Sequence, residues 1–353
     1  MGWNLGIATR GRLRAREQVD GRRIRAIKWG FSTKSPEQMS IGGDAPKVFL
    51  EVSGSRDNSH AYIAKGPRVH GVRECVTEAM ISSIGRLLPV RLARFRLSQV
   101  HGSKSQRSSS IGALGVRFMS RYFLRKPTES LFHGDELVAL WLGADEGEIK
   151  ETFAADKVSE RLFYTVDLLL EVLDAVCLES EYCRVRDGLG RMLAFDAIVG
   201  TNDRHPRNWG VISDGVSVGD SLRFAPLFDS ARGLFWNFSD KQLHARVEGG
   251  SSARSAFVEK YANGSNPLIS CRSHPHPDKV NHFSLVEYML QACDGQFADS
   301  VPRVVRSFSA RRTRSALAKE YGGIVSSFRL GLVGELLEYR IGRLLDVVGG
   351  RRQ

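Results

Sequence analysis

Acid is in short supply in this chain. Against 51 lysines and arginines stand 39 aspartates and glutamates, so its 353 residues carry a formal charge of +12. The excess gathers at Arg10, Arg12, Arg14, Arg16, Arg22, Arg23, Arg25 and Lys28, and again at Arg303, Arg306, Arg311, Arg312 and Arg314. Such a surface suits nucleic acid, an acidic partner or anionic lipid. No zinc finger, RNP-like aromatic strand or DNA-reading helix accompanies it, so direct nucleic-acid binding is not favoured over a solvated basic face. Cysteine is scarce too. Cys75, Cys177, Cys183, Cys271 and Cys293 are odd in number and scattered, which excludes a disulfide framework or a paired-thiol zinc site and fits a reducing cytoplasm. Cys271, His274 and His276 lie close together, but Pro275 and Pro277 break the segment and a fourth ligand is missing. No apolar run approaches the length of a membrane span, and the Arg-rich start lacks the apolar core of a secretory signal. Internal repeats are absent as well. With 42% hydrophobic residues, the chain can bury one large core or two smaller ones.

What is present is a six-residue run, Asp203-Arg204-His205-Pro206-Arg207-Asn208. An aspartate five positions before an asparagine is the spacing of a phosphotransferase catalytic loop. The Asp takes a proton from an acceptor hydroxyl, and the Asn carboxamide holds a metal on nucleotide phosphates. Arg204 and His205 pack the loop and bond its backbone, and His205 counts with the nucleotide-binding residues rather than as the base. A second acid, Asp229, ends the strand-like apolar run Phe224-Ala225-Pro226-Leu227-Phe228, where a kinase keeps its main metal-binding Asp. Upstream, Leu189, Met192, Leu193, Ala197 and Ile198 mark a helix ending at Gly200. Downstream, Trp209 to Ile212, the turn pair Asp214-Gly215 and Val216 to Val218 predict a β-hairpin that returns the chain toward Asp229.

The first third reads as strands around one helix. Val48 to Val52 and Ala61 to Lys65 form an antiparallel pair, and Lys65 at the strand end can reach phosphate oxygens, although any surface strand can end in lysine. Val72, Cys75, Val76, Ala79, Met80, Ile84 and Leu87 give one apolar helical face over about 73–87. Glu74 or Glu78 on that helix can pair with Lys65, and Glu78 is preferred. Before the strands, Ser40-Ile41-Gly42-Gly43-Asp44-Ala45-Pro46-Lys47 is not a Walker A sequence. Gly42 and Gly43 still allow close backbone approach to phosphate, and Lys47 can neutralise it; a plain turn reads the same way. The run Leu114 to Phe123 is a strand leading to a hinge, which places the nucleotide base near Met119, Arg121, Tyr122 and Phe123. From Thr128 the chain is expected to turn helical, with an apolar stripe at Leu162, Val166, Leu169, Leu170, Leu173 and Val176 and further helices around 285–292 and 328–347.

Together these segments resemble the HipA-like serine/threonine kinases, the toxin-type family of bacterial toxin–antitoxin modules. The resemblance runs from about Ser40 to at least Asp229. It rests on Ser40-Ile41-Gly42-Gly43 with Lys47, Tyr62-Ile63-Ala64-Lys65, Arg117-Phe118-Met119-Ser120-Arg121, Thr201 to Asn208, and Ala225-Pro226-Leu227-Phe228-Asp229. It implies an α+β, two-lobed protein kinase-like fold, with a β-rich N-lobe over 1–125 and a mainly helical C-lobe over 126–353. It implies ATP and Mg2+ in the cleft, Asp203 as catalytic base, Asn208 and Asp229 as metal ligands and Lys65 as the phosphate-binding lysine. By the same resemblance Ser40 is the position whose autophosphorylation switches such kinases off. The substrate is then a protein such as an aminoacyl-tRNA synthetase or another translation factor, and a DNA-binding antitoxin is the partner. The chain departs from the family at Gly43-Asp44-Ala45-Pro46, where a glutamine- and glutamate-bearing stretch is usual, and it reads as a short, kinase-core-only member. Two other readings use the same residues: a phosphoinositide-type lipid kinase, and a non-catalytic pseudokinase or nucleic-acid-binding module.

Overall fold

Residues 16–19, 22–25, 31–34, 47–52, 60–66, 72–99, 116–124, 126, 128–145, 147–149, 161, 163–215, 221–272 and 279–350 are described by a computed structural model. The architecture is α+β. Five antiparallel strands make the main sheet, in the order β3 (Phe31–Lys34), β4 (Lys47–Val52), β5 (His60–Lys65), β7 (Val116–Arg121) and β6 (Phe95–Gln99). A separate ribbon pairs β1 (Arg16–Val19) with β2 (Arg22–Arg25). On β7, alternation predicts one buried face, yet Phe118, Met119 and Ser120 are all buried. The strand lies inside the sheet, paired on both edges, and helix α1 (Val72–Gly85) packs over it. Burial on both faces removes the period-2 signal.

Helix α1 is buried from Cys75 to Gly85. It is pinned to α9 (Ala310–Tyr321) through Ser83, whose hydroxyl lies 2.7 Å from Glu320 Oε2 and 2.7 Å from Tyr321 Oη. The remainder is mainly helical, and the hub is α4 (Glu179–Val199), whose last eight residues are all buried. Around it pack α3 (Val166–Val176), α7 (His282–Gln291), α8 (Ser300–Arg306) and α10 (Ser327–Val348). Thr165 caps α3 by accepting the Leu168 N–H, at 3.2 Å. Helices α5 (Asp240–Arg246) and α6 (Gly250–Asn263) complete this part. Leu162, expected in the α3 stripe, lies outside the described residues.

Three expectations need correction. The chain does not turn helical at Thr128, because β8 (Ser130–His133) comes first and α2 (Gly134–Leu142) follows. The hairpin partner of β9 (Gly210–Ser213) is β10 (Leu222–Phe224), while Val216 to Val218, expected in that place, lie outside the described residues. Burial sets that register: Leu222 is buried and Phe224 stacks on buried Trp209 at 5.8 Å. Strand pairing also stops at Phe224 rather than continuing to Asp229, apart from a single parallel bridge of Leu227 to Leu92. The three-stranded sheet therefore runs β10-β9-β8. At its centre a Cβ on Gly210 would sit 2.2 Å from the Phe132 carbonyl oxygen, so only glycine admits that approach.

Candidate active site

Lys65, the last residue of β5, buries its ammonium 2.8 Å from Glu78 Oε1 on α1 and 2.6 Å from Asp229 Oδ1. Burial alone would lower its pKa, but the Asp229 and Glu78 carboxylates outweigh burial and hold it above the ordinary lysine value. It is a fixed cation joining the main sheet, α1 and the segment that follows β10. Of the two candidate glutamates, Glu78 makes this ion pair.

The loop at 201–208 is shaped by the end of α4. Gly200 adopts a left-handed conformation (φ 73°), and its N–H caps the helix on the Asp196 carbonyl at 2.8 Å. Asp196 then pulls the chain back through a two-pronged contact with buried Arg204, Nε to Oδ2 and Nη2 to Oδ1, each 2.8 Å. The other guanidinium hydrogens go to the Asn208 carbonyl (2.8 Å), the Phe228 carbonyl (2.9 Å) and Ser230 Oγ (2.8 Å). One side chain thus ties together the helix end, the loop and the backbone just before Asp229.

Within this frame Asn208 Nδ2 donates to the Asp203 carbonyl at 2.6 Å, leaving the carboxamide oxygen as the atom a cation could use. His205 heads the 3-10 turn Pro206–Asn208, its Nδ1 accepting the Arg207 N–H at 3.2 Å. Burial pushes its pKa down to about 4, against an opposing effect of Asp229, so the imidazole is neutral at pH 7. Asp203 Oδ1 lies 3.0 Å from Arg232 Nη1, and the Asn202 N–H donates to the Arg232 carbonyl at 3.1 Å. Asp229 has a left-handed backbone, φ 55°, which costs of order 1–3 kcal/mol for a non-glycine residue. The Arg204 bonds to Phe228 and Ser230 on either side hold it there, with the Leu227 N–H on the Arg91 carbonyl at 2.7 Å.

Phe228 packs against Phe123 (ring centroids 5.5 Å) and His133 (6.0 Å), bringing the segment after β7 beside Asp229. Met119 is buried. The Arg121 and Tyr122 amides are spent inside the sheet, on the Arg94 carbonyl (2.6 Å) and the Ala61 carbonyl (2.9 Å). The Arg121 side chain lines a cavity of about 570 Å³ with Tyr62, Arg86, Arg94, Phe95 and Arg96. Lys47 begins β4 opposite Lys65 in register, while Ser40, Gly42 and Gly43 lie outside the described residues. Sequence reasoning missed Asp196 and Arg232. Asp196 sits among apolar helix positions, and Arg232 lies beyond the Asp229 motif with no periodicity around it.

The HipA-like C-terminal domain matches residues 39–274, more than half of the chain and all of the loop, strand and helix just described. The chain belongs to the HipA-like C-terminal domain family. Among solved structures it is similar to the Helicobacter pylori proinflammatory kinase CtkA, with TM-score 0.65 and 16% identity over 92% of this chain and 98% of that one. It is also similar to Shewanella oneidensis MR-1 HipA, solved with HipB and operator DNA, with TM-score 0.45 and 11% identity over 92% and 74% of the two chains. No curated protein sequence matches it. The α+β architecture is that of the kinase-like fold of this family. Among the described residues, no helix is long and apolar enough to cross a membrane, and no three His, Cys, Asp or Glu side chains are grouped to hold a metal ion.

Proposed function

We propose that this HipA-like chain is an ATP- and Mg2+-dependent protein kinase that phosphorylates serine or threonine hydroxyls. The observation that carries this is the Lys65 ammonium clamped between Glu78 and Asp229, with Asp203 and Asn208 locked by one hydrogen bond on the neighbouring loop. Asp229 and the Asn208 carboxamide offer hard oxygen donors of the kind magnesium selects. A magnesium ion held there would neutralise charge on the nucleotide phosphates. Lys65 presents a permanent positive charge to those phosphates. Asp203 accepts the proton of the attacking hydroxyl, a contribution of about 10²–10⁴-fold. Phe123 and Phe228 pack together beside Asp229, where the base would sit. The protein substrate, an antitoxin partner and autophosphorylation at Ser40 belong to this proposal through the family.

The test incubates purified chain with labelled ATP and magnesium and maps phosphosites by mass spectrometry, with Asp203→Ala alongside. Label is expected in wild type and none in the variant, whose circular dichroism should match wild type. Equal labelling of a folded Asp203→Ala chain would exclude Asp203 as the base.

A further inference from the structure

Phosphoryl transfer needs positive charge on the acceptor side as well as at the nucleotide, because charge spreads over the equatorial oxygens of the moving group. The described cations near Asp203 are few, and most are committed. Lys65 is buried and held by two carboxylates. Arg204 is 1% exposed and uses its donors on Asp196, Ser230 and two carbonyls. His205 is neutral at pH 7. Arg207 points its Nε toward buried Asp135, 3.7 Å away.

Arg232 is different. Its side chain is one-third exposed, its Nη1 is 3.0 Å from Asp203 Oδ1, and its guanidinium lies over the Trp236 ring at 5.4 Å. The Asn202 N–H on the Arg232 carbonyl fixes its main chain to the residue preceding Asp203. Arg207 is as exposed but faces Asp135, so among the described cations near Asp203 exposure and direct contact with the base coincide in Arg232.

We infer that Arg232 is a catalytic residue of this site, the cation that contacts the transferred phosphoryl group. The inference rests on the kinase function proposed above. In the step, the acceptor oxygen forms its bond to the γ-phosphorus, and the bond to the bridging oxygen breaks with its electron pair leaving on ADP. The hydroxyl proton passes to Asp203. As Asp203 becomes neutral it releases its hold on Arg232, and the guanidinium turns to the phosphoryl oxygens just as they need it. The Arg232–Asp203 ion pair is then the resting form of a contact remade during each turnover.

The experiment uses the full chain with Arg232→Met and Arg232→Lys. Transfer of phosphate from ATP to the chain and to water is timed, Mg–ADP binding is measured by calorimetry, and the same titration is repeated with aluminium fluoride as a mimic of the moving phosphoryl group. Arg232→Met is expected to bind Mg–ADP within about twofold of wild type while transfer falls about 10²–10³-fold. It should also lose the tightening that fluoride brings, and Arg232→Lys should recover part of both. Transfer within threefold of wild type, or fluoride tightening that survives in Arg232→Met, overturns the inference and leaves the kinase standing. A slow variant that keeps its fluoride response would make Arg232 only a holder of Asp203. A wild-type chain that neither binds Mg–ADP nor transfers phosphate overturns the kinase function itself and this inference with it.

Discussion

His205 owes its charge state to burial more than to any neighbour. The same holds for His133, lowered by burial, and for His282, lowered by burial and then by Arg340. In the unfolded chain these imidazoles take protons near pH 6.5, while in the folded chain they resist protonation. Between about pH 6.5 and the folded value near 4 for His205, the unfolded chain binds more protons, so stability falls as the pH falls. Thermal melts at pH 7.5, 6 and 5 should show a progressive drop in midpoint. In His205→Asn, whose amide does not titrate, the drop should be shallower. A pH-independent midpoint in wild type would contradict the burial of these groups.

At the scale of elements, the loop at 201–208 is held by one side chain acting on four other residues. Arg204→Met would strand Asp196 as a buried, uncompensated carboxylate and free the carbonyls of Asn208 and Phe228. We expect a loss of about 3–5 kcal/mol in urea unfolding, with part regained in the double variant Asp196→Leu/Arg204→Met. What could be read beforehand at this scale followed from local chemistry. The Asp203–Asn208 spacing, the Gly200 helix stop and the apolar face of α1 are written in adjacent residues. Strand β8 carries no such pattern: all four of its residues are half-buried, and its pairing with β9 depends on a partner roughly eighty positions away. Strand β10 carries no clear local signal for a similar reason, since Asp214-Gly215 resembles a two-residue turn until the burial of Leu222 and Phe224 is known. The Arg232–Asp203 contact had no sequence signal at all, because it joins two irregular segments.

Across the whole molecule, α10 acts on the loop from below. Arg340 is fully buried and, among the described residues, has no carboxylate partner. Instead its Nε donates to the Ala197 carbonyl at 2.7 Å and its Nη1 to the Ala262 carbonyl at 2.9 Å. Those carbonyls belong to the last turns of α4 and α6, where unsatisfied oxygens and the negative ends of two helix dipoles favour a cation. Burial nevertheless lowers the guanidinium pKa to about 10, so it stays charged at neutral pH. Arg340→Met should cost about 1–3 kcal/mol for the Ala197 carbonyl it leaves dry. It should also speed hydrogen exchange at the Gly200 and Thr201 amides; protection equal to wild type would show that α10 does not brace the loop. This brace has a consequence in time. A ribosome releases Arg340 on the order of ten seconds after Arg204, at ~5–20 residues per second. Until then the floor beneath the loop is missing, so the loop at 201–208 gains its final brace only after α10 has been made.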